Sequence, residues 1–64
     1  MKIKDITRHM NDHGTRPRIK VFEHKNDYAR LIYEGSPYEV SEELEAKKVN
    51  SFTVWGPGYM EINV

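Results

Sequence analysis

Apolar residues near the start of the chain recur at helical spacing. Ile3, Ile6 and Met10 are three and four positions apart, which places their side chains on one stripe of a helix. The stretch 11–14 that follows ends in a glycine, which suits the left-handed position after a helix. The pattern therefore predicts a first helix that ends before the proline at position 17.

Two alternating segments, 18–24 and 28–34, are rich in β-branched and aromatic residues and are typical of strands. Lys25-Asn26-Asp27 between them is turn-forming, so the pattern predicts an antiparallel hairpin. A two-residue loop would place Arg30 and Ile32 on the face of Ile19, Val21 and Glu23. A three-residue loop would instead place Ala29, Leu31 and Tyr33 with Ile19 and Val21. We favour the three-residue loop, because it separates apolar from polar residues better and leaves four polar side chains together outside: Arg18, Lys20, His24 and Arg30.

A short second helix is predicted between two hairpins. Ser36-Pro37-Tyr38-Glu39 has the form of a capping box, and a second start signal follows at Ser41. Positions 42 and 43 are acidic and positions 47 and 48 are basic, which is the order that the helix dipole favours. We expect one or two helical turns that end before Val49.

The C-terminal segments 49–55 and 59–64 alternate around Gly56-Pro57-Gly58, a pattern that predicts a hairpin with a three-residue loop. Pairing Trp55 with Tyr59 places polar residues opposite polar ones on one face and apolar residues opposite apolar ones on the other. The resulting pairs are Thr53 with Glu61, Ser51 with Asn63, Val54 with Met60 and Phe52 with Ile62.

These elements follow the order α–β–β–α–β–β and predict an α+β fold. Two antiparallel hairpins would form a small, mostly antiparallel sheet with the helices packed on one face. Sixty-four residues allow one domain, so we expect residues 1–64 to be a single domain. A chain of this length buries only about 60% of its unfolded surface, so its core is thin and a partner chain would add stability.

The composition bounds the class of protein. With 38% hydrophobic and 31% charged residues, the chain is too apolar for a disordered tail and too polar for a membrane segment. The first five residues include three charged ones and no apolar run follows, so we expect no secretory signal. The absence of cysteine excludes disulfides and thiolate catalysis. We therefore expect a cytoplasmic location and no membrane partner.

Basic and acidic residues are segregated although the formal net charge is zero. Residues 1–30 hold eight basic side chains against four acidic ones, and residues 31–64 hold two against six. The basic residues surround the first hairpin and alternate with aromatic ones, which is typical of nucleic-acid binding, but acidic residues interrupt them. Nucleic-acid binding is therefore our alternative function, with four candidate residues: Arg16, Arg18, Lys20 and Arg30.

Trp55 and Tyr59 are the candidate protein-binding residues. In the predicted hairpin they project from the face opposite the apolar pairs, where an antiparallel sheet is normally polar. Exposed aromatic side chains commonly anchor protein interfaces. Two structural roles compete with this function: a cross-strand aromatic pair that stabilises the turn, or burial under the loop before Arg18. The C-terminal strand is also a candidate sheet edge, through which a homodimer would form by strand addition.

The sequence indicates no catalytic, cofactor or metal site. Its serines lie in cap or strand positions without the Gly-x-Ser-x-Gly turn of a nucleophile, so we expect no enzyme. His9 and His13 have the spacing of two metal ligands on one helix, with Asp12 and His24 as further candidates. No glutamate follows His9 as in a metalloprotease helix, and we interpret both histidines as solvated or partly packed.

Five short stretches carry a resemblance to known sequences: Met1-Lys2-Ile3-Lys4-Asp5-Ile6, Ile32-Tyr33-Glu34-Gly35, Ser41-Glu42-Glu43-Leu44, Val49-Asn50-Ser51-Phe52 and Met60-Glu61-Ile62-Asn63-Val64. In these stretches the chain resembles small proteins encoded by phages, prophages and conjugative elements of Gram-positive bacteria. It departs from them where Ser41 replaces the usual proline and where residues 56–58 replace an acidic turn. The resemblance implies a genomic setting and supplies no catalytic residues.

The sequence therefore predicts a small, non-enzymatic interaction module that acts by binding another protein. In a phage setting, inhibition of a host factor is the form that such binding would take. The alternative is a nucleic-acid-binding module that uses the basic first hairpin.

Overall fold

The computed structural model describes residues 1–10, 16–56 and 58–64. Within these ranges, strands account for far more residues than helices, so the α+β class fits only loosely. The elements are α1 (Ile3–Thr7), β1 (Arg18–Lys25), β2 (Tyr28–Gly35), α2 (Glu42–Glu45), β3 (Ser51–Gly56) and β4 (Tyr59–Asn63). Neither helix is long and apolar enough to cross a membrane, a finding that covers the described residues only.

The four strands form one mixed sheet in the order β2-β1-β4-β3. Each hairpin is antiparallel, whereas β1 and β4 pair in parallel, so the sheet is not built from antiparallel pairs alone. Backbone bonds from His24 N to Val64 O (3.1 Å) and from Val64 N to Phe22 O (2.9 Å) extend this parallel pairing. The prediction that the C-terminal strand is a sheet edge is therefore wrong, because β4 lies between β1 and β3.

One small buried cluster joins the first helix to the middle of the sheet. Its members come from α1, β1 and β4: Ile3, Ile6, Ile19, Val21 and Ile62. Leu44 of α2 and Tyr33 of β2 are partly buried against it. Full burial of a Val or Ile side chain contributes about 1.5–3 kcal/mol, so five such residues form a thin core in which each counts.

The N-terminal helix is shorter than its apolar spacing predicts. It begins after Lys2, whose backbone N–H donates to Asp5 Oδ2 at 2.8 Å, and it ends at Thr7. This hydrogen bond is the largest factor that holds the pKa of Asp5 below its usual range. Met10 still packs against the buried cluster, although it lies beyond the helix. The predicted helix end at 11–14 falls outside the described residues.

The turn of the first hairpin has two residues, so the favoured three-residue loop is wrong. Lys25 pairs with Tyr28, which leaves Asn26 and Asp27 as the loop. Asn26 has a φ of 55°, in the left-handed region that asparagine tolerates better than most residues. The register near the loop is therefore set by the geometry of the turn. The better separation of polar and apolar residues, which favoured the three-residue loop, does not determine it.

A β-bulge then changes the register farther from the turn. Phe22 pairs with Leu31 but Val21 pairs with Tyr33, so Ile32 is the extra residue. Tyr33 consequently shares the face of Val21, as the three-residue loop predicted, while Leu31 lies on the opposite face. Arg30 also departs from the prediction, because it pairs with Glu23 and so shares the face of Val21.

The second helix begins where the sequence indicates. Ser41 is the N-cap, and its Oγ accepts a hydrogen bond from Leu44 N at 3.3 Å. The upstream signal at Ser36 forms a turn instead, in which Ser36 Oγ accepts from Tyr38 N at 3.1 Å. The helix is a single turn, Glu42–Glu45, and ends before the basic residues that were expected in its last turn.

The C-terminal hairpin confirms four of its five predicted pairs: Thr53 with Glu61, Ser51 with Asn63, Val54 with Met60 and Phe52 with Ile62. The fifth pair is wrong, because Tyr59 pairs with Gly56 and Trp55 is an extra residue in a β-bulge. Gly58 in the turn has a φ of 74°, a conformation that favours glycine.

Candidate interaction surface

The sheet face opposite the buried cluster, here called the outer face, carries side chains from all four strands. Strand pairing places residues of the same row on the same face, so the registers define its members. Every one of these residues is at least partly exposed. They are Arg18, Lys20, Phe22, His24, Ala29, Leu31, Glu34, Ser51, Thr53, Tyr59, Glu61 and Asn63.

Trp55 lies at one end of the outer face and is 64% exposed. Its indole N–H donates to Glu61 Oε2 at 2.8 Å, which draws the ring towards the outer face. Trp55 is therefore not buried among the described residues, and residues 11–15 of the loop before Arg18 lie outside them. The β-bulge also excludes a directly opposite pair with Tyr59, because that position is taken by Gly56.

Tyr59 of β4 is half-buried. It pairs with Arg18 of β1 and lies close to Lys20. Its interaction with Lys20, followed by the attraction of Glu34, raises the pKa of the Lys20 ammonium above its usual range. Trp55 and Tyr59 therefore lie on the same outer face, and each has a polar neighbour of its own there. The aromatic surfaces remain available while the polar groups around them are already paired.

The structure brings only some of the candidate basic residues together. Arg18 and Lys20 lie side by side on the outer face, where Glu34 pairs with both at 3.9 and 3.6 Å. Arg30 lies on the opposite face, 3.2 Å from Glu23. Arg16 is exposed just before β1. The arrangement splits the predicted cluster and neutralises part of the charge that it would offer to phosphates.

Glu23 is the centre of an ion-pair cluster that the sequence did not indicate. Its side chain is only 17% exposed and lies within 3.6 Å of Lys25, 3.2 Å of Arg30 and 3.5 Å of Lys47. Desolvation raises the pKa of Glu23, but the three cations outweigh it and hold the pKa below its usual range. Lys47 is far from Glu23 along the chain and comes close to it only in the folded protein. The spacing of these residues in the sequence therefore could not predict the cluster.

A shallow depression of about 330 Å³ adjoins Glu23 between β2 and α2. Ile32, Tyr33 and Leu44 form its apolar wall, and Ser41 is among its polar lining residues. The Ser41 hydroxyl caps the helix, and the Tyr33 hydroxyl donates to Ser36 O at 2.6 Å. Both hydroxyls therefore have structural partners, and neither is positioned beside a base as a nucleophile requires.

The histidines considered as metal ligands are engaged separately. His9 Nδ1 lies 2.7 Å from the backbone oxygen of Asp5, and His24 Nε2 lies 2.7 Å from Asn63 Oδ1. Asp12 and His13 fall outside the described residues. Within residues 1–10, 16–56 and 58–64, no group of three potential metal-binding side chains occurs.

Two apolar side chains of the edge strand β3 are exposed, although the sequence predicts them on the apolar face of the hairpin. Phe52 is 45% exposed and Val54 is 60% exposed, although their partners Ile62 and Met60 are buried and half-buried. The buried cluster is centred on β1 and β4, so side chains one strand farther out lie beyond it. The one feature of the sequence that could have indicated this exposed edge is the absence of any charged residue in β3.

Comparisons of the chain with protein-family models, curated proteins and solved structures gave no match.

Proposed function

We propose that this protein is a non-enzymatic interaction module that binds another protein through its outer face, with Trp55 as the anchor and Tyr59 beside it. The observation that carries this proposal is a tryptophan 64% exposed on a sheet face where no side chain is buried. Tryptophan and tyrosine supply much of the binding energy at protein interfaces, because they bury large apolar surfaces at low entropic cost.

The polar groups around Trp55 and Tyr59 support the same role. Glu61 accepts from the indole at 2.8 Å, and Lys20 pairs with Glu34 at 3.6 Å. A partner that covers the aromatic rings can leave these pairs intact at the rim, so it avoids leaving a charge buried and unpaired. The partner surface that fits is therefore an apolar pocket with a polar border.

The biological setting is also part of the proposal. The resemblance to phage, prophage and conjugative-element proteins supports a mobile-element origin, action in the bacterial cytoplasm and inhibition of a host factor. The helices would pack on the face opposite the outer face, since Ile3 and Ile6 of α1 belong to the buried cluster. The outer face would then remain open to the partner.

Capture of partners by variant proteins tests the proposal. Immobilised wild-type protein, Trp55→Ala and Tyr28→Ala are incubated with lysate of a Gram-positive host, and retained proteins are quantified. Tyr28 is a matched control because it is 60% exposed but lies at the turn of the first hairpin. We expect a protein retained by the wild type and Tyr28→Ala and lost with Trp55→Ala, because the anchor of an interface typically contributes 2 kcal/mol or more, roughly thirtyfold in affinity.

Equal retention by all three proteins would reject the outer-face anchor.

Nucleic-acid binding is measured in parallel by NMR titration with short DNA and RNA at low salt. The pairing of Arg18 and Lys20 with Glu34 and the position of Arg30 on the other face argue against it. Amide shifts clustered on residues 16–30 that weaken steeply with salt would favour nucleic acid over a protein partner.

A further inference from the structure

Strand β3 carries no charge, and no described strand pairs with the backbone along its free edge. Among the residues that the structure describes, β3 pairs only with β4, and its other side is the end of the sheet. Its six residues, Ser51–Gly56, include no charged side chain. Native proteins usually protect such edges with charges, prolines or covering elements, because an open edge is a template for another strand.

We propose that β3 pairs with β3 of a second copy of this chain. The two strands run antiparallel about a twofold axis perpendicular to the sheet and centred on Thr53, so that two four-stranded sheets become one eight-stranded sheet. Such an interface is self-complementary, as a twofold dimer requires. This inference goes beyond the proposed binding of another protein, because it uses the edge of the sheet and not its outer face.

The side-chain pattern of β3 fits its own copy. Residues opposite each other across two strands share a face, so the twofold pairing places Phe52 against Val54 and Thr53 against Thr53. The first pair lies on the side of the buried cluster and joins the two exposed apolar side chains that β3 carries on that side. The second lies on the outer face, and threonine pairs are favourable across strands. Phe52 and Val54 therefore meet apolar partners and Thr53 meets its own copy, while Ser51 lies opposite Trp55 of the other copy.

Charge also favours a second copy as the occupant. Self-pairing of β3 places no like charges opposite each other, because the strand has none. The chain has a formal net charge of zero, so two copies do not repel each other at long range. A strongly charged partner strand would find no complementary charge along β3.

The size of the contact sets the expected affinity. A single pair of six-residue strands buries less than the roughly 1,200 Å² of a standard stable interface, so the dimer belongs to the weak class. We expect a dissociation constant on the order of micromolar to hundreds of micromolar. Dimerisation would also stabilise a domain with a thin core, because it removes the Phe52 and Val54 side chains from water.

Sedimentation equilibrium of three proteins tests the inference over a concentration series from about 10 µM to about 1 mM. Wild type is compared with Val54→Lys, which adds a charge opposite Phe52 of the other copy. Leu31→Lys is the matched control, because Leu31 is a 45% exposed apolar residue on β2, the other edge strand. Circular dichroism establishes that each variant is folded.

We expect the mean mass of the wild type and of Leu31→Lys to rise towards twice that of the chain. We expect Val54→Lys to dimerise at least tenfold more weakly. A wild-type protein that stays monomeric throughout the series would overturn the inference. So would a Val54→Lys variant that dimerises as strongly as wild type.

A second measurement uses the wild type alone and so does not depend on the folding of a variant. In a mixture of isotope-labelled and unlabelled protein, filtered NOEs are expected between the Phe52 ring of one copy and the Val54 methyls of another. Their absence at a concentration where the mass is dimeric would show that a different surface forms the dimer. Neither measurement involves the capture experiment with Trp55→Ala, so failure of this inference is distinguishable from failure of the proposed function.

Discussion

The two edges of the sheet are built in different ways. The edge strand β2 carries Arg30 and Glu34, each in an ion pair, and it is interrupted by a β-bulge at Ile32. The edge strand β3 carries no charge, and its one β-bulge is confined to the end near the turn. Charges and bulges both discourage a further strand from pairing. The comparison indicates that β2 is protected against association and that β3 is not.

The contrast extends to what lies beside each edge. The depression next to β2 is lined by Ile32 and Tyr33 of the strand and by Ser41 and Leu44, so residues of the α2 segment border this side of the sheet. At β3, Phe52 and Val54 remain 45% and 60% exposed on the corresponding face. The β2 edge therefore has another segment of its own chain beside it, whereas the β3 edge leaves apolar side chains exposed.

The largest expected effect compares the centre of the sheet with the β3 edge. Val21→Ala removes methyl groups from a fully buried site and should destabilise the domain by about 2–3 kcal/mol, from lost burial plus the cavity. Val54→Ala makes the same change at an exposed site and should cost within about 0.5 kcal/mol in dilute protein. Urea unfolding measures both. Equal costs would mean that the β3 edge is buried as deeply as the centre.

A medium effect is expected from the helix cap beside β2. Ser41→Ala removes the acceptor for Leu44 N and should destabilise the domain by about 1 kcal/mol. Because Leu44 of α2 and Ile32 and Tyr33 of β2 line the same depression, amide hydrogen exchange should accelerate in β2 more than in β3. Ser51→Ala, an exposed serine in β3, is the matched control and should change neither quantity. Uniform acceleration across both edges would contradict the local role of α2.

The smallest effect concerns pH and the ion pairs of Glu23 on β1, one of which is made with Arg30 of β2. The pKa of Glu23 is depressed in the folded protein, so its contribution to stability is fully present above the ordinary value of 4.5. That contribution is lost as the pH falls below 4.5 and through the lower folded pKa. The difference in melting temperature between wild type and Glu23→Gln should therefore shrink on acidification. A difference that stays constant between neutral pH and about pH 3 would show that Glu23 is not stabilised by its cations.

The short-range pattern predicted much of the fold. Alternation gave four of five pairs in the C-terminal hairpin, and the cap at Ser41 located the start of α2. Both features depend on residues that are near one another along the chain. The β-bulges at Ile32 and Trp55 were missed, because an extra residue in one strand leaves the alternation of each strand alone nearly unchanged.

The candidate site was predictable only in part. Trp55 was identified because it is an aromatic residue on the polar face of a predicted hairpin, and this pattern depends only on neighbouring residues of the sequence. The separation of Arg30 from Arg18 and Lys20 depends on the turn and bulge of one hairpin, and a one-residue change reverses the faces. The exposed β3 edge follows from the parallel pairing of β1 with β4, which joins segments about forty residues apart and has no signature in either segment.

The contrast between the two edges is tested most directly by amide hydrogen exchange measured at low and high protein concentration. We predict that exchange in β3 slows as the concentration rises, while exchange in β2 does not change, because only the unprotected edge gains a partner strand. The same protection in β2, or no dependence on concentration in β3, would contradict the account.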